Sequence, residues 1–243
     1  MTKISVQKKA SFQGHKSGIY ILANDPENSK LFYSSGGDGL MVKWNIDHRE
    51  KGMVMASVPS QIFSMMRMPK SRQLLLGQLQ GGIHLLDQEK FEEKKLLQAH
   101  ASAVFKIFEN PLNKAQFYSV GGDGRLLLWD SQQMSVVKYS EISSESLRAC
   151  VFLKNQNLLI FGASDNKIYV FDPLTFKIIK SFTAHDNSVF SLCITKDQKY
   201  LISGSRDAQI RVWDIRKNYQ FCHAIPAHMF TVNDLAINQD GSL

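Results

Sequence analysis

Short apolar runs separated by turn residues recur roughly every ten residues along this chain, and this pattern is typical of an all-β fold. Residues 185–228 show the pattern most clearly. They predict strands at about 189–195, 200–205, 209–214 and 219–225, with a turn at 206–208 between the second and third. One such four-stranded unit cannot bury both of its faces alone, so the units are expected to stack around an axis.

The same unit repeats along the chain in steps of 42 or 43 residues. The repeats start near residues 15, 58, 100, 143, 185 and 228. A period in this range is typical of the four-stranded blades of a propeller. The repeat therefore predicts one domain that spans residues 1–243.

Three of the repeats carry polar residues in a fixed frame. Asp38, Asp123 and Asp207 each stand six residues before a tryptophan, in segments such as Gly-Gly-Asp-Gly-Leu-Met-Val-Lys-Trp-Asn at 36–45. The related segments are 121–130 and 204–214. On these motifs the chain resembles the WD-repeat β-propeller family over nearly its whole length.

The resemblance implies a structural, hydrogen-bonded tetrad in each of these three repeats. The expected sets are His15–Ser34–Asp38–Trp44, His100–Ser119–Asp123–Trp129 and His185–Ser203–Asp207–Trp213. A buried Asp in a tight turn needs donors, which a histidine, a hydroxyl and nearby amides supply. A catalytic interpretation of Ser, His and Asp is disfavoured, because one active site would not need three copies.

Two repeats depart from this frame. In one, Asp165 is followed by Phe171 in place of Trp; in the other, Gln80 and Leu86 replace both Asp and Trp. The blade that contains Gln80 is therefore expected to lack the tetrad. Sequence drift explains this loss, and an edge that faces a partner is the alternative.

The fold class predicted is an all-β WD-repeat propeller with five complete blades and a partial sixth. Residues 1–14 resemble the fourth strand of a blade, which in this family closes the ring with strands from the far end of the chain. Seven blades are the commonest number in the family, so we expect a C-terminally truncated copy of a seven-bladed ring. A short protein with an open ring is the alternative, although it would leave bare strand edges.

The first strand of each repeat points to a candidate binding surface. Apolar residues stand four and seven positions after almost every repeat start, and this odd step of three predicts a β-bulge. The residue five positions after the repeat start and the residue before the turn Asp are expected on the top-face rim, where this family binds partners. The expected partner-binding residues are Tyr20, Phe63, Phe105, Arg148, Phe190, Arg206 and Asn233. Packing of the aromatic rings into the core is the alternative.

Composition narrows the functional classes. The chain has 29 Lys and Arg against 22 Asp and Glu, a net charge of +7 that is dispersed along the sequence. Its three cysteines, Cys150, Cys193 and Cys222, form no CxxC pair and have no metal-ligand spacing. No apolar signal segment stands at the start, and no apolar run is long enough to cross a membrane, so a cytoplasmic location is expected.

These features together predict a non-catalytic scaffold, with no cofactor and no metal. Its expected partner is a protein or peptide, with an acidic or phosphorylated segment that fits Arg148 and Arg206. Nucleic-acid or anionic-surface binding through basic blade rims is the alternative. A propeller enzyme is a third interpretation, which the scattered His48, His84 and His223 do not support because they match no ligand spacing.

Overall fold

The computed structural model describes residues 7–25, 27–48, 52–68, 72–87, 89–90, 92–226 and 228–237. These residues contain five antiparallel sheets of four strands, and each sheet is built from strands that are consecutive in the chain. We number these sheets as blades 1 to 5 and call their strands a to d in chain order. The prediction of an all-β fold of four-stranded blades is confirmed.

The strand bounds follow the repeat period. Blades 1 and 2 comprise β1 (Ile19–Asn24), β2 (Leu31–Gly36), β3 (Leu40–Asn45), β4 (Met53–Ser57), β5 (Ile62–Met68), β6 (Gln73–Gln78), β7 (Gly82–Asp87) and β8 (Glu93–Gln98). Blades 3 and 4 comprise β9 (Val104–Glu109), β10 (Gln116–Gly121), β11 (Arg125–Asp130), β12 (Ser135–Glu141), β13 (Leu147–Leu153), β14 (Leu158–Ala163), β15 (Lys167–Asp172) and β16 (Lys177–Thr183). Blade 5 comprises β17 (Val189–Ile194), β18 (Tyr200–Ser205), β19 (Ile210–Asp214) and β20 (Gln220–Ile225), with a 3₁₀ turn at Ile215–Lys217 between the last two.

The hydrophobic core lies between the blades. Four apolar clusters each combine residues of two consecutive blades, from the pair of blades 1 and 2 to the pair of blades 4 and 5. The middle strands are covered on both faces, and five of the six residues of β14 are buried. Strand d faces outward, and every residue of β20 is exposed. Stacking thus removes from water the apolar faces that a single blade leaves open.

A left-handed residue completes the turn between strands b and c in every blade. The residue after the turn Asp or its equivalent has positive φ in all five: Gly39, Gly81, Gly124, Asn166 and Ala208. At Gly124 a Cβ atom would lie 2.0 Å from the carbonyl oxygen of Ser143, so a side chain is excluded there. At Ala208 the chain adopts the same conformation, with φ of 65°, despite carrying a Cβ.

The two ends of the repeat array lie outside the five sheets. Residues 7–18 form no strand, although the Phe12 ring packs edge-on against Phe32 and Trp44, with centroids 5.1 and 5.7 Å apart. Residues 228–237, which begin the sixth repeat, also form no strand. Residues 1–6 and 238–243 lie outside the described residues. The closing strand at 1–14, the sixth blade and the seven-bladed ring therefore stay predictions.

Candidate functional site

Each blade has a β-bulge at the second residue of strand a. The register of β1 with β2 shifts between Ile19 and Ile21, so that Tyr20 has no partner in the ladder. The corresponding shifts in the other four blades skip Phe63, Phe105, Arg148 and Phe190. The bulge predicted from the odd apolar step is confirmed. A bulge redirects the extra residue, and here it places one side chain per blade at the end where the strand begins, which we call the top face.

The five bulge side chains form one continuous row, which we call the rim arc: Tyr20, Phe63, Phe105, Arg148 and Phe190. The Tyr20 and Phe63 rings are stacked, with centroids 4.7 Å apart and planes at 15°. Phe63 meets Phe105 edge-on at 5.4 Å. The Cζ atom of Arg148 then lies 4.4 Å from the centre of the Phe105 ring and 4.8 Å from that of Phe190. Each side chain thus contacts its neighbour from the next blade.

The rim arc is separate from the core. Tyr20 is 51% exposed, and the other four side chains are half-buried. Among the described residues, the arc contributes no member to any of the four apolar clusters between blades. The arrangement favours a surface role for these rings over the alternative of core packing. A row of partly exposed aromatics with an arginine has the composition of a binding hot spot.

Arg148 is held in place by three neighbours. Phe105 and Phe190 flank its guanidinium on two sides, and Nε donates a 3.0 Å hydrogen bond to Ser164 Oγ. Burial lowers the pKa of Arg148, and the positive charge of Arg206 lowers it further. The side chain remains charged at neutral pH, because the ordinary arginine pKa lies far above 7. The contacts with the two rings and with Ser164 therefore hold a charged guanidinium within the row.

The remaining predicted rim residues come from the turns and from the sixth repeat. Arg206 precedes the turn Asp of blade 5 and is exposed. Its backbone N–H donates to the carbonyl of Ser188, which ties the turn to the start of strand a. Asn233 is exposed but belongs to residues 228–237, which form no strand. Its place on the top face stays a prediction.

The histidine, serine, aspartate and tryptophan side chains of blades 1, 3 and 5 come together in the same geometry. In blade 3, His100 Nδ1 lies 2.8 Å from Asp123 Oδ1, and His100 Nε2 lies 2.8 Å from Ser119 Oγ. Trp129 Nε1 donates to the same hydroxyl at 2.9 Å. Because Asp123 accepts from Nδ1 and Ser119 accepts from the indole, the serine proton is left for Nε2. The set is a closed chain of hydrogen bonds with each donor paired.

The equivalent sets in blades 1 and 5 have nearly the same distances. Histidine Nδ1 lies 2.9 Å from the carboxylate in both, and the indole donates to serine at 2.7 and 2.9 Å. The three serines, Ser34, Ser119 and Ser203, are at most 1% exposed. A substrate could not reach such a hydroxyl, so these sets stabilise the turns and are unsuited to nucleophilic catalysis.

The carboxylates of these sets are stabilised in their charged form. Burial raises the pKa of Asp123, but the hydrogen bond from His100 and the backbone N–H of Ala101 outweigh it, and the net pKa is lowered. For His185 burial is the larger effect and lowers the pKa, although Asp207 opposes it. The histidine is therefore kept neutral beside a charged carboxylate.

Blades 2 and 4 contain different polar networks, which the sequence did not reveal. In blade 2, buried His84 of strand c has Nδ1 2.8 Å from Glu93 Oε1 and Nε2 3.0 Å from Gln78 Oε1. In blade 4, the Tyr169 hydroxyl donates to Asp165, and burial together with this bond raises the pKa of Tyr169 to about 12. A lone polar residue within an apolar strand was the available signal, because it must find a partner when buried.

Neither a metal site nor a membrane-spanning helix is found among the residues that the structure describes. The described ranges contain no group of three or more His, Cys, Asp and Glu side chains that could hold a metal ion. No helix in the same part of the chain has the length and hydropathy of a membrane-spanning segment.

Comparison with known protein families finds a repeat model that matches two segments of the chain. The model of the WD domain, G-beta repeat, matches residues 6–45 and 176–214. These segments end at the tryptophan-containing strands β3 and β19. No curated protein matches the chain. Two matched repeats, together with five antiparallel sheets of four strands in the same frame, make the chain similar to the WD-repeat family.

Proposed function

We propose that this chain is a non-catalytic scaffold that binds a protein or peptide partner at the rim arc on its top face. WD repeats generally serve as scaffolds for protein interactions. The observation that supports this surface is the continuous row of five bulge side chains, which the sheets position but do not use in their cores.

The chemistry of the arc favours a partner segment with an apolar side chain next to an acidic or phosphorylated one. Stacked Tyr20 and Phe63 offer an aromatic surface, and Arg148 with Arg206 offers positive charge at the other part of the arc. An extended peptide advances about 3.3 Å per residue, so a segment of about six residues would follow the row. Rings that are already held by their neighbours lose little conformational freedom on binding.

The test is photo-crosslinking followed by measured affinity. A photoreactive phenylalanine analogue at Tyr20 is expected to crosslink partners that the same analogue at Tyr139 does not. Tyr139 is the matched control, because it is exposed on outer strand β12 and also stands beside a guanidinium, that of Arg125 at 5.8 Å. The crosslinked partner is then purified and titrated against the wild-type chain and its variants.

Phe105→Ala or Arg148→Glu should weaken this partner by at least ~2 kcal/mol, as hot-spot residues do. Tyr139→Ala and Lys94→Glu, both on outer strands, should leave its affinity unchanged. Rim variants that keep their melting temperature and still bind the partner at full affinity would place the binding site elsewhere. Rim variants that unfold would show that the rings are part of the core.

A further inference from the structure

The arginines of this chain fall into two groups. Among the seven that the structure describes, five form an ion pair with a carboxylate: Arg67, Arg72, Arg125, Arg211 and Arg216. The two without a carboxylate partner in the described residues are Arg148 and Arg206. Hydrogen bonds bring them to the same part of the top face: Arg148 donates to the Ser164 hydroxyl, the Ser188 hydroxyl donates to the Ser164 carbonyl, and the Arg206 backbone N–H donates to the Ser188 carbonyl. Within the described residues, two positive charges at the candidate binding surface therefore have no carboxylate partner.

Leaving them uncompensated has a cost. Arg148 is half-buried between two rings, and burial of an unpaired charge is unfavourable. Its only polar side-chain partner among the described residues is the neutral hydroxyl of Ser164, and Arg206 adds repulsion. A ligand with two negative charges would relieve both effects, whereas a single carboxylate would neutralise one guanidinium and leave the other.

Arg148 also determines which sign of charge the aromatic residues accept. Two phenylalanine rings that face each other across a gap form a slot for a cation, because the ring faces are electron-rich. Here the slot between Phe105 and Phe190 already contains the guanidinium of Arg148, with Cζ within 5 Å of both ring centres. The filled slot excludes a ligand cation and presents the N–H groups of Arg148 instead.

We propose that Arg148 and Arg206 bind a phosphate monoester on the partner segment, with Arg148 as the residue that makes the rim arc select an anion over a cation. The phosphate oxygens accept from both guanidinium groups, and the Phe63 and Tyr20 rings contact an apolar side chain of the same segment. A phosphate monoester carries a charge of about −1.5 to −2 at pH 7 and three acceptor oxygens, which matches two planar donors. This proposal rests on the proposed function, since it names the chemistry of that partner.

The test uses degenerate peptide libraries with a fixed central residue on the purified 243-residue chain. Four libraries carry phosphoserine, serine, glutamate or arginine at that position. Phosphoserine peptides are expected to bind at least ~30-fold tighter than the same peptides with serine, and arginine peptides are expected not to bind. Affinity should fall several-fold between pH 7.5 and 5.5, because the phosphate takes up a proton with a pKa of about 6.

Variants then assign the effect to the two arginines. Arg148→Gln and Arg206→Gln should each weaken the best phosphopeptide by at least ~10-fold, the scale of a lost charge-assisted contact. Arg148→Lys keeps the charge and loses the planar fork, and should give an intermediate affinity. The matched control is Arg125→Gln at the start of β11, where the guanidinium pairs with Glu141 away from the rim arc, and this variant should leave binding unchanged. Melting temperatures identify any variant that does not fold, and Arg206 is exposed, so its variant keeps the proposal testable.

The outcomes separate this proposal from the proposed function. Equal binding of serine and phosphoserine peptides, lost in Phe105→Ala and kept in the arginine variants, would overturn the phosphate site and leave the rim arc as the binding surface. Binding that no rim variant affects would overturn both. Single-stranded DNA, whose phosphates are diesters with one charge each, should not compete. Competition equal to that of the phosphopeptide would overturn the choice of a monoester.

Discussion

Ser64 Oγ donates a 2.8 Å hydrogen bond to the carbonyl of Val104, and this bond joins strand a of blade 2 to strand a of blade 3. Ser191 stands at the same position of strand a in blade 5, but its hydroxyl is buried without a partner among the described residues. The two serines have the same close neighbour, a glycine of strand b, Gly77 in one blade and Gly204 in the other. They differ in that the Ser64 hydroxyl has an acceptor and the Ser191 hydroxyl has none among the described residues.

This difference predicts unequal effects of the same substitution. Ser64→Ala should lower the free energy of unfolding by about 1 kcal/mol, because it removes a hydrogen bond and strands a buried carbonyl. Ser191→Ala should be neutral or slightly stabilising, since it removes a buried hydroxyl that has no partner. Urea unfolding monitored by tryptophan fluorescence measures both. Equal losses would show that the sixth repeat supplies an acceptor to Ser191.

A second prediction concerns the hydrogen-bonded turn of blade 5. Asp207→Ala should destabilise the chain by roughly 1–3 kcal/mol, because His185 and the backbone N–H of Asp186 would lose their acceptor. Gln80→Ala is the control, as Gln80 is exposed at the equivalent turn of blade 2. Calorimetry compares the two. Similar losses of melting temperature would contradict the role assigned to Asp207.

A third prediction concerns acid sensitivity. The pKa of His185 is lowered from its ordinary 6.5 by burial, so the unfolded chain takes up a proton that the folded chain does not. The stability from this group is complete above pH 6.5 and is lost as the pH falls below it, by up to about 1.4 kcal/mol per pH unit. His185→Asn should flatten the dependence of the free energy of unfolding on pH below 6.5. The pKa of Asp207 is also lowered, so its contribution to stability is complete above its ordinary value of 3.8 and is lost as the pH falls from that value through the lowered pKa. An unchanged slope in the variant would rule out His185 as the source.

A fourth prediction concerns backbone strain at the turns. Ala208 has a left-handed conformation that costs a residue with a Cβ about 1 kcal/mol or more, so Ala208→Gly should raise the melting temperature slightly. Gly124→Ala should have the opposite sign and a larger size, because the new Cβ would meet the Ser143 carbonyl at 2.0 Å. Thermal unfolding of the two variants settles the signs. If Ala208→Gly did not raise the melting temperature, the left-handed conformation at Ala208 would carry no strain.

The sequence allowed the fold and the bulge to be predicted because both depend on spacing. Four strands per period fix the blade, and apolar residues three apart in strand a can share one face only if a residue is inserted. Each position of the rim arc follows from that rule. The stacking of Tyr20 on Phe63 and the place of Arg148 between two rings could not follow, because they depend on side-chain rotamers and on the curvature between blades.

The polar networks of blades 2 and 4 could not be predicted from the sequence for a different reason. Gln78, His84 and Glu93 come from three strands and from positions that hold other residues in the remaining blades. The repeat frame therefore gives no guide to their pairing. In blade 4 the same need of Asp165 for a donor is met by Tyr169 from within its own hairpin. Loss of the usual residues changed which side chains satisfy the turn and left the blade intact.

The bulge in strand a separates two demands on one strand. Residues on either side of it pair in the ladder and fill the core, while the skipped residue does neither. That residue can be exchanged without altering the register of the sheet, and each blade contributes one such position. Single substitutions at these positions can therefore change the chemistry of the top face, one blade at a time, while the sheets beneath it keep their structure.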